Sequence, residues 1–576
     1  MYSFSKLRKL YVQGVSCQLS SYRTIDNVLK CNERVVEPPE KNDLYGFLKN
    51  QFTKHAEKTA LVDAITGQKI SYNEILHNSA SLANFLKFRK INATECVATH
   101  IQNCIEYIYL IMGCLKCRAT ITLANPAYTH FEINKQLKDS NAKILFTNKR
   151  QIEIARKAVE NTNTDLVICV DDFTINDSGV INLSDILQTF NNKQTITPTS
   201  EPPTSPTSST SDCMLQSSKV NDVAFLLYSS GTTGLPKGAM LTHSNITVHL
   251  LQLLEAFEWN IQERILALLP FFHCYGLIVV LLKGLYYGST LFVVPGFEPH
   301  LFLSTIEKFQ IQRAPIVPPI ALFLKSNPIV DNYNISSLQK VIVGAAPLDE
   351  VVASSLNKKF PNINWQQGYG LTECSPVVCL QIDKTTQKSG SCGNVLPNTE
   401  VKIIDLVSGN NCGPNEKGEV WVRGPQVMKG YLNNLQATDE CLMKDGWLRT
   451  GDMGYYDDDN TIFIVDRLKE LIKYKGFQVA PAELEDILLG HPNVDDSCVI
   501  GIPDKISGEL PRAYLVINDS SLSEEDVHNY VNERIADYKR LRGGIVFVSK
   551  LPKSPTGKLL RRVVKEEYLN SLPSQP

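Results

Sequence analysis

The sequence predicts an α/β chain: a large N-terminal domain of layered α/β subdomains with a β-rich subdomain, then a small α+β C-terminal domain. Three observations carry that expectation. Between residues 44 and 190, helical stretches alternate with short apolar runs, 59–62 and 142–146 among them, as the βα units of a largely parallel sheet do. Strand-like runs at 224–228, 265–269 and 340–343 continue the pattern. From residue 401 short β-rich runs set off by turn signals take over, at 401–405, 419–423 and 461–465. Beyond about residue 469, helical stretches (480–489, 523–535) mix with strands (513–517, 544–548) over a length that suits a separate small domain.

These signals divide the chain into an N-terminal domain at 25–466 and a C-terminal domain at 467–576. A chain of 576 residues is also longer than one compact core usually serves. The run TPTSEPPTSPTSSTSD at 197–212 is too poor in apolar side chains to order itself, so 193–220 reads as a solvated Pro/Ser/Thr loop. The first 24 residues carry Lys6, Arg8, Lys9 and Arg23 but no acid, with Phe4, Leu7 and Tyr11 on one helical face. Such a stretch resembles a mitochondrial transit peptide, the plain alternative being a frayed tail. The chain ends Ser574-Gln575-Pro576 rather than Ser-Lys-Leu; cytosolic or peroxisomal residence are the alternatives to a mitochondrial one.

A net charge of −2 gives no basic footprint for a nucleic acid. Fifteen cysteines, an odd number scattered over the chain, suit reduced thiols better than a disulfide scaffold. Cys114 and Cys117 form a lone CxxC inside an apolar stretch, which favours buried thiols over zinc. The most apolar stretch, 276–295, is broken by Lys283, Gly284 and Gly288 and reads as core rather than a membrane span. Peripheral membrane contact stays open.

The chemistry gathers around FLLYSSGTTGLPKGAMLTHSN at 225–245. Glycines and small hydroxylated residues around one lysine suit phosphate, since backbone N–H groups and hydroxyls cradle anionic oxygens and the lysine adds charge; the loop is then a phosphate loop of some type or none. The lysine stands as Pro236-Lys237-Gly238, so the Gly-Lys-Ser/Thr loop of the Walker type is excluded. The loop follows a strand and precedes an expected helix, a placement that a flexible linker would not need. Downstream stand QQGYGLTE (366–373), DGWLRTGD (445–452), DRLK (466–469) and PTGK (555–558). Each has a plain reading by itself: a tight turn, a loop after a strand, a surface ion pair, one more solvated lysine. Together, in this order, they argue for one site.

With PFFH at 270–273, GAAP at 344–347 and IKYKGFQ at 472–478, the series resembles the adenylate-forming superfamily. That group holds acyl-CoA synthetases, 4-coumarate–CoA ligases, beetle luciferases and peptide-synthetase adenylation domains. The likeness runs from about residue 42 to 568 and is strongest to acyl-CoA synthetases of the 4-coumarate–CoA ligase type. It implies that ATP and an apolar carboxylic acid, fatty or aryl-alkanoic, form an acyl-AMP and pyrophosphate, and that coenzyme A then takes the acyl group. The carboxylate is already a nucleophile. The first step therefore needs charge neutralisation and alignment rather than a Ser-His-Asp apparatus.

The resemblance also implies roles. Ser229, Ser230, Gly231, Thr232, Thr233, Gly234 and Lys237 correspond to the loop that holds the β- and γ-phosphates. Thr372 corresponds to the hydroxyl on the α-phosphate and Glu373 to the carboxylate that holds Mg²⁺, a hard cation that prefers oxygen. Gln367, Gly368 and Tyr369 would line the adenine, and Asp452 and Arg467 would bind the ribose. Lys469 would be the hinge of a mobile C-terminal domain. Lys558 would reach both the carboxylate and the α-phosphate, as a flexible point charge can. His273 alone reads as a satisfied core histidine; within PFFH the family keeps a histidine beside the carboxylate, which assigns it to the site. Tyr275, Gly276, Val279, Ala345, Gly370, Pro376 and Val377 would line an apolar acyl pocket. Lys473, Lys475, Gly476 and Gln478 would line the path of coenzyme A. One run departs from the family: Gly296 stands in Pro295-Gly296-Phe297-Glu298 where plant coumarate ligases keep a CoA-contacting lysine.

Three other functions compete. A luciferase-like monooxygenase would use nearly the same residues. An adenylating module for a carrier-protein thiol is opposed by the short stretch after Lys558. A catalytically dead binding protein is opposed by the presence of every catalytic-type residue.

Overall fold

A computed structural model describes residues 22–31, 36, 43–93, 95–171, 179–191, 220–229, 236–256, 263–346, 348, 350–382, 387–474, 477–504, 507–535, 537–554 and 559–571. Ser230, Gly231, Thr232, Thr233 and Gly234, together with Lys475, Gly476 and Lys558, lie outside the described residues, as do 1–21 and 193–219. Tyr22, Arg23 and Thr24, counted with the N-terminal leader from sequence, belong to a strand, Tyr22–Ile25, that pairs with Val28–Cys31.

The alternation of helices and apolar runs produces two largely parallel sheets. One has the order Lys237–Thr242, Val223–Ser229, Thr120–Leu123, Cys96–His100, Ala142–Thr147, Leu166–Cys169, Val180–Asn182, antiparallel at the first pair alone. The other has nine strands. Its parallel centre runs Asn364–Gly370, Lys340–Val343, Arg313–Ile316, Arg264–Ala267, Thr290–Val293, Thr59–Asp63. Runs such as Lys-Val-Ile-Val at Lys340–Val343 are apolar at successive positions because helices cover both faces of such sheets. Local chemistry starts those helices: Ser71 with Glu74, and Thr129 with Glu132, close capping boxes on Tyr72–Phe88 and His130–Ser140. The β-rich texture becomes a six-stranded antiparallel sheet, ending in Gly418–Arg423, Leu448–Tyr456 and Ile462–Arg467.

The C-terminal part has its own sheet, in which Gly508–Ile517 pairs with Val494–Asp504, Ile472–Tyr474 and Ile545–Phe547. Its core is also its own, with Leu484, Leu488, Val499, Ala513, Leu515, Val527 and Val531 buried together. A small apolar cluster of Met453, Leu471 and Ala480, joined by Val465 and Leu468, sits at the junction with the N-terminal part.

One local expectation fails. The phosphate loop does not lead into a helix: Lys237–Thr242 is a strand, paired antiparallel with Val223–Ser229 so that Ser229 faces Lys237. Its other edge bonds to the 429–432 segment, with Met240 N donating to Gly430 O and Leu432 N to Gly238 O. Pairing on both sides makes this segment a strand, and the helix starts later, at His243–Ala256. The apolar stretch 276–295 is core, as a π-helical run Tyr275–Leu282, a helical turn Lys283–Tyr286 and the strand Thr290–Val293. No helix of the described residues is long and apolar enough to cross a membrane. Cys114 and Cys117 sit buried on the helix Tyr107–Cys117.

Candidate active site

A cavity of about 1640 Å³ opens at the C-terminal ends of the parallel strands Lys340–Val343 and Asn364–Gly370, where open α/β sheets place their ligands. It gathers Lys237, His273, Tyr275, Val279, Ala345, Gly368, Tyr369, Gly370, Thr372, Glu373, Pro376, Val377, Arg467 and Lys469. Segments separated by more than two hundred residues thus meet as the motifs require. Lys553, Ser554 and Leu560, which flank 555–558, line the same cavity. Of the expected residues whose side chains are described, Gln367, Asp452, Gly276 and Lys473 stand off its wall. Gln367 is buried behind it, with Oε1 accepting from Leu348 N. Asp452 bonds to Tyr369 and pairs with Arg467, both of which line the cavity. Gly276 packs against backbone, where a Cβ would come 2.1 Å from Pro270 O. Lys473 is exposed in the strand Ile472–Tyr474.

The side expected to take the nucleotide is polar and tightly partnered. A 3₁₀ turn, Thr372–Cys374, follows the strand Asn364–Gly370. Met428 N donates to Glu373 O at 2.8 Å and ties that turn to the 428–432 segment. The Tyr431 hydroxyl donates to Glu373 Oε1 at 2.8 Å, and Lys237 Nζ lies 5.1 Å from the centre of the Tyr431 ring. One tyrosine therefore joins the lysine of the phosphate loop to the expected metal carboxylate. Burial, then the Glu373 carboxylate, push its phenol far above the usual range, so it remains a donor. Sequence reasoning missed Tyr431; the only signal for it is a lone Gly430-Tyr431 pair in a loop. Across the cavity the Tyr369 hydroxyl donates to Asp452 Oδ2 at 2.6 Å, and Arg467 Nε lies 3.5 Å from Asp452 Oδ1. Burial, then Arg467, lower the Lys469 ammonium from its ordinary value.

The side expected to take the acid is shaped by backbone. His273 Nδ1 accepts from Tyr275 N at 3.3 Å, an arrangement that leaves Nε2–H as the ring's donor. Asn103 fixes the preceding turn: its Oδ1 accepts from Phe271 N and its Nδ2 donates to Leu269 O. Asn103 also escaped the sequence reading. The π-helical run spaces Tyr275 and Val279 along the wall, and such runs recur at functional sites. Tyr275 O–H donates to Ile342 O at 3.0 Å. Gly370 is required by close approach, since a Cβ there would meet Pro376 O at 2.1 Å. Cys274 Sγ lies 3.5 Å from Thr372 Oγ1, and burial pushes its thiol up to about 12.

Residues 48–432 match the AMP-binding enzyme family, and residues 483–558 match the AMP-binding enzyme C-terminal domain. The chain belongs to the AMP-binding enzymes. This AMP-binding enzyme is 38% identical over 549 residues to 4-coumarate–CoA ligase 1 of Arabidopsis thaliana, covering 93% of this chain and 94% of that protein. It is 36% identical to 4-coumarate–CoA ligase 2 of Nicotiana tabacum, over 96% of this chain and 99% of the relative. Among solved structures it is similar to the o-succinylbenzoate CoA synthetase of Bacillus subtilis in complex with its acyl-adenylate, with a TM-score of 0.74, 26% identity, and coverage of 91% and 98%. It is an ATP-dependent, AMP-forming acid–thiol ligase.

Among the described residues no group of three or more His, Cys, Asp or Glu is placed to hold a metal by itself. Glu373, a buried carboxylate that lines the cavity with Lys237, suits Mg²⁺, which binds through one or two carboxylates and substrate phosphates.

Proposed function

We propose that this enzyme activates an aryl-substituted carboxylic acid as its acyl-adenylate and passes the acyl group to the thiol of coenzyme A. One observation carries the reading: the cavity joins a charged end, with Lys237, Thr372, Glu373 and Arg467, to an apolar end walled by Phe272, Tyr275, Val279, Ile342 and Val377. The relatives' names, which specify 4-coumarate, support an aryl acid over a fatty one.

In the first step a carboxylate oxygen attacks the α-phosphorus of ATP, and the bond to pyrophosphate breaks. Lys237 offsets the charge that gathers on the leaving group, and Thr372 donates to an α-phosphate oxygen. His273 Nε2–H orients the carboxylate. Glu373 would hold Mg²⁺, which would supply positive charge against the phosphates. Asp452 and Arg467 hold the ribose end in register through Tyr369. In the second step the thiol sulfur attacks the acyl carbonyl and AMP leaves with its electron pair. Lys473 and Gln478, in the C-terminal sheet, serve that step after rotation near Lys469.

The test is pyrophosphate release from ATP with a panel of cinnamic-type, phenylalkanoic and fatty acids, with and without coenzyme A. Release led by aryl acids, with thioester formed when coenzyme A is added, is the expected result. Faster turnover of fatty acids would overturn the acid class. Adenylate that never yields thioester would overturn the acceptor.

A further inference from the structure

The helix His243–Ala256 buries a polar stripe at i, i+4 and i+7: Asn245, His249 and Gln252. His249 and Gln252 are fully buried, with 0% exposure. Nothing in the reaction uses them directly, yet each is bonded to a segment that shapes the site. Asn245 Nδ2 donates to Pro425 O and Val427 O, both at 2.8 Å. Gln252 Nε2 donates to Pro397 O at 2.7 Å and to Gln426 Oε1 at 3.0 Å. His249 joins Gln252 to the wall of the cavity.

The chain of partners fixes the tautomer. Pro397 O can only accept, so the amide nitrogen of Gln252 must face it and Oε1 must face the histidine. His249 Nδ1, 2.9 Å from that oxygen, therefore carries the proton. Nε2 is then an acceptor, and it receives the backbone N–H of Val377 at 3.2 Å. Val377 lines the apolar end of the cavity beside Pro376 and Gly370. The strand Val377–Leu380 pairs with Asn364–Gly370 through an irregularity between Tyr369 and Gly370, and at that irregularity the Val377 N–H turns to a side chain instead of the neighbouring strand.

We propose that His249 is a positioning residue for acid recognition: its Nε2 holds Val377, and with it the acyl wall, in place from behind. The inference rests on the acid-activating reading above. It predicts an effect on the acid and none on ATP, because the nucleotide side is held by other bonds, through Tyr431 and Asp452.

Two amide variants separate the two contacts of the ring. His249→Gln can reach Val377 N–H with its oxygen. His249→Asn stops at the position of Nδ1, so it keeps Gln252 and loses Val377. Steady-state pyrophosphate release should show the Asn variant with a KM for the acid raised about tenfold, a buried N–H left unpaired being costly, and a KM for ATP within about twofold. The Gln variant should stay within about threefold of wild type on both. Selectivity among aryl acids of different width should change in the Asn variant. Equal KM values for the acid in both variants, or acid and ATP constants that rise together, would overturn the proposal. If wild-type protein released no pyrophosphate with any acid, the acid-activating reading itself would fall, a result distinct from unaltered variants of an active enzyme.

Discussion

At the end of the cavity assigned to the nucleotide the groups are charged or hydroxylated, and they sit close together in short motifs: Thr372 and Glu373 on one turn, Arg467 at the end of a strand and Lys469 in the turn that follows. At the acid end the walls are apolar and come from separate stretches, 272–279, 342–345, 370 and 376–377, steadied from behind by Gln252 and His249. Stabilising a phosphate demands particular donors at particular spacings, which leaves a pattern in sequence. Enclosing an apolar acid demands shape, and many residues supply the same shape. The two ends should therefore fail differently when altered.

The largest effect is expected at the nucleotide end. Lys237→Ala and Glu373→Gln each remove charge that faces the triphosphate. Each should lower adenylate formation by about a hundredfold or more, the usual cost of losing a preorganised electrostatic contact. Pyrophosphate exchange would show this with the acid saturating. Wild-type rates in both variants would end the assignment of this face to ATP.

That contrast also explains what could be read from sequence. The βα alternation, the β-rich middle and the separate C-terminal part were all legible, because hydrophobic period and turn residues are local. Strands at 340–343 and 419–423 fall where the apolar runs place them. The strand Lys237–Thr242 was not legible, since pairing with residues 429–432 decides it. Glu373 could be found from its motif. Tyr431, bonded to it, could not, because nothing near Tyr431 announces a carboxylate 58 positions away. Gly276 was placed on the acyl wall by the resemblance, and the structure packs it against Pro270 O, off the cavity lining. The polar stripe of the helix His243–Ala256 passes in sequence for a mixed amphipathic pattern.

A second effect distinguishes how the two ends depend on acidity. The support of the acid end includes a buried neutral imidazole. Burial chiefly, with a smaller push from Lys283, lowers His249 to about 4, against an ordinary value near 6.5. Burial lowers His100 to about 4 as well. Between about pH 6.5 and pH 4 the unfolded chain binds protons that these folded histidines refuse. Stability is therefore full above that window and falls as pH drops through it, by about 3 kcal/mol for each ring. Urea unfolding at pH 7.0, 5.5 and 4.5 should give steadily lower midpoints, and an unchanged midpoint would show that neither ring is held neutral.

The smallest effect is expected from one methyl group at the acid end. Gly344 follows the strand Lys340–Val343 and faces the Tyr275 ring; a Cβ there would lie 2.9 Å from Tyr275 Cε1 and 3.4 Å from Cζ. That ring cannot swing away freely, since its hydroxyl is held on Ile342 O and the half-buried residue opens the π-helical run. Gly344→Ala should thus tilt Tyr275 by a few tenths of an ångström into the space the acid fills. A methyl-sized misfit in an apolar pocket is worth roughly 1–3 kcal/mol, and partial yielding of the ring places this variant at the low end. The KM for the preferred acid should rise about fivefold, with the KM for ATP unchanged and a smaller loss for narrower acids. Competition between a wide and a narrow aryl acid, read as the ratio of kcat/KM, measures the effect without reference to enzyme concentration. If the ratio stayed at its wild-type value while ATP binding weakened, the boundary drawn between the two ends at Gly344 and Tyr275 would be in the wrong place.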